Sequence, residues 1–173
     1  MGNFYTNFTI FDADVDVVIA AAKELGRRAY VVKSGNDVVL FDRDCDEQNT
    51  EEIKMLGTAL STKLELRILG CLNHDDDDLL LWIFEPKSSQ LFYESIADAP
   101  RFAWGLSKFR GGLLTCPIVL VALAWPIVIF QIFRHHLLGI FITLPRASIG
   151  FGYTYLSKGE IPPGFSAEDL KLI

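Results

Sequence analysis

The chain has 173 residues, of which 50% are hydrophobic and 12% aromatic, and its formal net charge is −6. This composition excludes a disordered chain, and the length predicts one domain with at most a small appendage. The acidic balance argues against nucleic acid as a partner, because phosphate contacts need clustered Lys and Arg. Three cysteines, at 45, 71 and 116, exclude a dense disulfide framework and a C-x-x-C metal or redox site.

The charge is divided unevenly along the chain. Residues 1–100 hold 19 acidic and 9 basic side chains, a net charge of −10, whereas residues 101–173 hold 3 and 7, a net charge of +4. A proline, Pro100, interrupts regular structure at the change of sign. We therefore predict an acidic α+β unit over residues 1–99, and an apolar, weakly basic helical unit over residues 100–173 that packs on it.

The first forty residues predict the order strand, helix, strand, strand. Phe4–Phe11 is rich in aromatic and β-branched residues and predicts a strand. Asp12 and Asp14 offer N-cap oxygens to a helix whose apolar spacing continues to Leu25, and Gly26 offers a C-cap. Turn-forming residues, Ser34–Asp37, separate two further apolar runs and predict a hairpin. The two strands of that hairpin are expected at residues 29–32 and 38–41.

A second helix and three more strands are predicted up to residue 93. Asn49 or Thr50 can cap the helix, and its apolar stripe consists of Ile53, Leu56, Leu60 and Leu64. The strands are expected at residues 66–72, 79–84 and 91–93. The order βαββαβββ predicts an α+β fold, with a mainly antiparallel sheet and two helices on one face. Its first six elements match a split βαβ, ferredoxin-like pattern.

The C-terminal unit contains a long apolar run. Gly111–Phe133 has no charged residue over 23 positions, which makes it a candidate transmembrane helix. The same run is also compatible with two buried helices divided at Pro126. The first alternative places the protein at a membrane and the second in the cytoplasm. Further on, Ile149–Leu156 alternates aromatic and small residues and predicts a final strand that joins or flanks the sheet.

Five short motifs, in this order, resemble those of a family of small bacterial proteins without an assigned function. They are Met1–Asn7, Asp44–Gln48, Leu72–Asp77, Gly150–Tyr153 and Gly159–Pro162. The resemblance covers most of the chain and implies a soluble protein with no known catalytic residue. The family is polar where this chain is apolar, over residues 118–133.

One group of candidate functional residues follows the third predicted strand. Asp42, Asp44 and Asp46 place carboxylates at alternate positions, as in a calcium-binding loop. An EF-hand loop needs Gly at its sixth position and Glu at its twelfth, and Glu47 and Ile53 stand there instead. These carboxylates are therefore expected to be structural or solvated more often than metal-binding.

The second group is His74 with the four aspartates that follow it. An imidazole with carboxylates can bind a divalent metal, which can in turn activate water. The same residues can also form a hairpin loop with Asx turns. The candidate metal ligands are thus Asp42, Asp44, Asp46, His74 and Asp75.

Two classes of function follow, and a third alternative concerns location. The first is a non-enzymatic binding or regulatory module, of the immunity-protein kind, whose acidic unit favours a basic protein partner. The second is a metal-dependent hydrolase that uses His74 and the Asp cluster. The third is a membrane-attached protein with an acidic cytoplasmic head. No sequence motif predicts a catalytic residue or a cofactor.

Overall fold

A computed structural model of the chain describes residues 4–75, 78–86 and 144–173, and the backbone of residues 88–94. Its antiparallel sheet and packed helices confirm the predicted α+β class. The apolar run 111–133, and its predicted division into two helices, lie outside the described residues. The strands and helices, in chain order, are β1 (Tyr5–Ile10), α1 (Val15–Glu24), β2 (Ala29–Ser34), β3 (Asp37–Asp42), α2 (Thr50–Leu64), β4 (Ile68–His74), β5 (Asp78–Glu85), β6 (Ser88–Glu94), α3 (Tyr153–Ser157) and β7 (Leu170–Leu172).

The described strands form one sheet in the order β6-β5-β4-β1-β3-β2-β7, and every neighbouring pair is antiparallel. The central strand, β1, pairs with β4 over its whole length, from Tyr5 to Ile10. Its pairing with β3 on the other side begins only at Phe8, opposite Leu40. The loop after β3 therefore lies beside the first residues of β1.

For each of α1 and α2, one of the two predicted capping residues is confirmed. The Asp14 carboxylate accepts hydrogen bonds from the amides of Asp16 and Val17, at 2.9 and 3.1 Å, at the start of α1. The Asn49 side chain accepts from the amides of Glu51 and Glu52 at the start of α2. These bonds satisfy backbone donors that have no partner within the helix.

One face of the sheet packs against α1 and α2 and forms the larger core. The ring of Phe84, in β5, lies close to α2 and to β4, and each of these elements presents a glycine to it. A Cβ atom at Gly57 would lie 2.4 Å from the ring, and one at Gly70 would lie 2.8 Å from it. These two glycines therefore allow the helix to approach the sheet with the ring between them.

The opposite face of the sheet is covered by residues 144–157, which we call the cover segment. It buries Leu144 against one apolar cluster of the sheet and three further side chains, Ala147, Tyr153 and Leu156, against a second. This part of the chain thus lies against the sheet. As a result the residues of β1 are buried from both faces.

The prediction of a strand over Ile149–Leu156 was wrong. Gly150 has a left-handed φ of +81°, which ends any extended run, and a short helix begins at Tyr153. The alternating spacing of the aromatic residues is typical of a strand, but Tyr153 and Leu156 lie in one helical turn. Their separation of three residues places both side chains on the face of that turn that packs against the sheet.

A strand that was not predicted pairs with the edge of the sheet at β2. It is β7, and its three residues align Tyr30 with Leu172 and Val32 with Leu170. Three residues are too few for an alternating pattern to be recognised. Within the described ranges, no helix combines the length and the apolarity needed to span a bilayer.

Candidate functional site

The candidate residues of the first group lie in the segment from the last residue of β3 to the first turn of α2, which we call the acidic loop (residues 42–52). It contains six carboxylates and one arginine, a net charge of −5. The loop contacts the start of β1 and the end of β4, so it lies at one end of the sheet. α3 of the cover segment contacts the loop at this end of the sheet, through the amide of Thr154.

Asp42 is fully buried, and its carboxylate is held by four donors. The Arg27 guanidinium donates through Nε to Oδ2 at 2.9 Å and through Nη2 to Oδ1 at 2.6 Å. The backbone amides of Asp44 and Cys45 each donate to Oδ1 at 3.0 Å. A planar guanidinium matches a carboxylate in this two-bond geometry. Because these donors occupy the carboxylate, it fixes the shape of the loop instead of facing solvent.

Arg27 connects this buried carboxylate to α2. Its side chain is only 15% exposed, and Nη1 donates to Glu52 Oε1. Its hydrogen bond to Asp42 raises the Arg27 pKa, partial burial opposes that shift, and the bond to Glu52 adds to it. The guanidinium is therefore permanently charged, and it neutralises part of the loop.

Asp44 has a different environment from its neighbours. Its carboxylate is about half exposed and accepts from Arg43 Nε at 2.9 Å, while Arg27 Nη2 lies 3.8 Å away. Ion pairs as exposed as that between Asp44 and Arg43 contribute little to stability. The Asp44 carboxylate is thus available to a partner that approaches from solvent.

Asp46 joins the acidic loop to the cover segment. Its Oδ1 accepts from the Thr6 amide at 3.1 Å, at a position of β1 that β3 does not pair, and its Oδ2 accepts from the Thr154 amide at 2.7 Å. Gly152 is needed beside it, because a Cβ atom there would lie 2.2 Å from Oδ1. Asp46 therefore acts as a bridge between two backbone segments.

A second bridge to the cover segment comes from Asn7 in β1, a residue that the sequence analysis did not single out. Its Nδ2 donates to the carbonyl oxygens of Ser148 at 2.8 Å and Phe151 at 2.9 Å. A buried polar residue in an aromatic strand was the available signal, because such a residue needs a partner.

The two cysteines in the described part of the chain are buried thiols. Burial, followed by the nearby Asp42 charge, raises the pKa of Cys45, and burial alone raises that of Cys71. The thiolate is the nucleophilic form of cysteine. Both residues are therefore protonated and unreactive in the folded protein near neutral pH.

His74 ends β4 and is exposed, and it contacts the acidic loop through Gln48. Its Nδ1 faces Gln48 Oε1, while Gln48 Nε2 donates to the Asn73 carbonyl oxygen at 2.7 Å. The Phe4 ring packs edge-on against the imidazole, with centroids 4.9 Å apart. Asp75 follows in a left-handed turn, with φ of +53°.

The five candidate metal ligands are thus distributed over separate interactions. Two of them, Asp42 and Asp46, are occupied by backbone and arginine donors, Asp44 pairs with arginine, and His74 pairs with a glutamine. Among the residues that the structure describes, no group of three or more His, Cys, Asp or Glu side chains is arranged to hold a metal ion.

Comparisons of this chain with protein-family models, with curated proteins and with solved structures found no match.

Proposed function

We propose that this chain is a non-enzymatic binding or regulatory module, of the immunity-protein kind, and that its acidic loop binds a basic protein partner. The observation that carries the proposal is that some carboxylates of the loop bind the protein's own backbone while others face solvent. Those of Asp42 and Asp46 face inward and hold the backbone, whereas Glu47 and Glu51 are exposed and Asp44 is half-exposed.

The loop is also fixed before any partner arrives. Asp42 holds its first residues, Asp46 attaches its centre to β1, and Asn49 begins α2. A preformed surface binds with less loss of conformational entropy than a flexible one. Clustered negative charge, in addition, accelerates the encounter with a basic protein and makes binding sensitive to salt.

We infer two further properties of the module. Its first six elements are proposed to be a ferredoxin-like unit, supported by the sheet order β4-β1-β3-β2 and by α1 and α2 packing on the same face. Its location is proposed to be cytoplasmic, with membrane attachment through residues 111–133 as the alternative. Alkaline carbonate extraction of membranes distinguishes the two, because an integral protein stays in the pellet.

The proposed interface is tested with two charge-reversal variants of the full chain. Glu47→Lys with Glu51→Lys reverses the exposed charges of the loop, and Glu160→Lys with Glu168→Lys makes the same charge change at exposed positions elsewhere. Each immobilised variant is used to capture proteins from lysate of the host cells at low and high salt. We then expect a basic protein that binds the wild type and the control at low salt but not the loop variant.

Capture of the same basic protein by the loop variant would show that the loop is not the interface. Recovery of no basic protein by the wild type under any of these conditions would contradict the proposed partner.

A further inference from the structure

The register of β4 and β5 places a histidine opposite an aspartate at one end of the sheet. His74, the last residue of β4, is directly opposite Asp78, the first residue of β5. Directly opposed residues point to the same face of a sheet, with Cβ atoms about 4.5–5.5 Å apart. That face is the one covered by α1 and α2, since Leu72 and Trp82 of the same strands belong to their core.

The hydrogen bonds of Gln48 determine which nitrogen of His74 carries the proton. A backbone carbonyl can only accept, so the Gln48 group that faces the Asn73 oxygen must be the amide nitrogen. The Gln48 oxygen then faces Nδ1 of His74 and can only accept from it. Neutral His74 therefore has its proton on Nδ1 and its lone pair on Nε2. Among the described residues, Nε2 has no hydrogen-bond partner.

We propose that His74 Nε2 and the Asp78 carboxylate are the two protein ligands of a binding site for a late first-row divalent cation, such as Ni²⁺, Cu²⁺ or Zn²⁺. Neutral imidazole suits these ions, and a ligand histidine is typically oriented by an acceptor on its other nitrogen, as Gln48 does here. Water completes the coordination. The site is separate from the carboxylates of Asp42 and Asp46, and it goes beyond the protein-binding role proposed above.

The donor set also predicts which ions are rejected. Mg²⁺ and Ca²⁺ are bound through six or more oxygen ligands, so one imidazole and one carboxylate do not retain them. Among the other ions, Cu²⁺ should bind more tightly than either Ni²⁺ or Zn²⁺.

The site is tested by titrating tag-free full-length protein with NiCl₂ in a calorimeter. We expect one ion per chain, and at least tenfold weaker binding for His74→Ala and for Asp78→Asn. Gln48→Leu removes the acceptor that orients the ring without removing a ligand, and should weaken binding about tenfold. Two controls are His136→Ala, which removes another histidine, and Asp44→Asn, which removes an acidic-loop carboxylate, and both should bind as the wild type does.

The proton position is tested separately by ¹⁵N NMR of the imidazole at a pH where His74 is neutral. We expect the Nδ1–H form, and its conversion to a tautomer mixture in Gln48→Leu. An Nε2–H form in the wild type, or Ni²⁺ affinity that His74→Ala leaves unchanged, would overturn the inference. Circular dichroism verifies that each variant is folded, and because His74 is exposed, its replacement leaves the core intact.

Discussion

Asp42 and Asp46 are fixed by groups far away in the sequence, and this determines what each can do. Arg27 lies 15 residues before Asp42, while Thr6 and Thr154 lie 40 residues before and 108 after Asp46. A buried carboxylate without such donors would be strongly destabilising. The donors therefore make these two side chains part of the fold and leave the exposed carboxylates of the loop for binding.

Replacing Arg27 with methionine should destabilise the protein severely. Arg27→Met keeps the apolar stem of the side chain but leaves the fully buried Asp42 carboxylate without its cation. Breaking a buried pair in this way costs about 3–5 kcal/mol of unfolding free energy. Urea denaturation measures the loss. The matched control is Arg43→Met, whose exposed pair with Asp44 should leave stability close to wild type. Equal effects of the two substitutions would show that the Arg27 pair is not buried as described.

The raised pKa of Cys71 predicts how stability depends on pH. The buried thiol stays protonated in the folded chain, whereas in the unfolded chain it ionises near pH 9.0. The stabilisation is therefore complete below pH 9 and decreases above it, by about 1.4 kcal/mol per pH unit for one proton. Cys71→Ala lacks this proton, so its stability should decline less steeply above about pH 9.

The measurement is urea denaturation of both proteins at several pH values from neutral to strongly alkaline. Met55→Ala, at an exposed position, is the control and should follow the wild-type slope. Parallel slopes for wild type and Cys71→Ala would contradict the raised pKa.

At the scale of elements, the sequence contained enough local information to predict most of the helices and strands. Helix starts were marked by side chains that cap them, Asp14 and Asn49, and strands by apolar runs between turn residues. These signals act within a few residues. The last predicted strand before the C-terminal unit, at residues 91–93, was too short, since β6 extends over Ser88–Glu94.

Local sequence patterns could not predict the conformation of the cover segment or the hydrogen-bond partners of the candidate residues. Alternating aromatic and small residues predicted a strand at 149–156, but two glycines and the Asp46 carboxylate favour a helical turn there. Asn7 binds residues more than 140 positions away, and no local spacing indicates such a pair. The sequence therefore predicted which residues were polar candidates, but not which backbone groups they bind.

Gly57→Ala is predicted to destabilise the protein, against the usual trend for helices. An alanine in a helix is normally more stable than a glycine by about 0.5–1 kcal/mol. Here the new methyl group would meet the ring of Phe84 at 2.4 Å, so we expect a loss of about 1–3 kcal/mol. Thr58→Ala, one residue further along α2, is the control. The loss should shrink when Phe84→Leu is combined with Gly57→Ala in a double-mutant cycle. A Gly57→Ala protein more stable than wild type would contradict the close packing.

Asp46→Ala is predicted to loosen the cover segment selectively. The substitution leaves the amides of Thr6 and Thr154 without their acceptor. The bond to Thr6 is partly buried, and its loss costs about 1 kcal/mol or more, whereas the amide of Thr154 is exposed and can bind water instead. Hydrogen exchange should therefore show faster opening of residues 144–157, with a smaller change in β3. Asp44→Ala, whose partner is exposed, should leave this pattern unchanged. Uniform acceleration over the whole sheet would indicate that the cover segment has no independent opening.

At the scale of the whole molecule, the described sheet is enclosed by α1 and α2 on one face and by the cover segment on the other. The second face is apolar in its own right, since Tyr5, Leu69 and Phe41 lie there. Burying apolar surface contributes about 25 cal/mol per Å² to stability. A sheet without its cover would expose that surface as a contiguous patch, which folded monomers rarely do.

A chain that ends at Asp98 should therefore fail to form a soluble, cooperatively folded protein. It retains α1, α2 and β1–β6 but lacks the cover segment and its bonds to Asn7 and Asp46. We expect it to aggregate, or to bind a hydrophobic dye and unfold without a sharp transition. A chain that ends at Lys158 keeps the cover segment and loses residues 159–173, which include the edge strand β7, so it should still unfold cooperatively. Circular dichroism during urea denaturation compares the two. If the shorter fragment unfolds cooperatively with the midpoint of the full chain, the C-terminal unit does not support the sheet, and membrane attachment becomes the better explanation of its apolar residues.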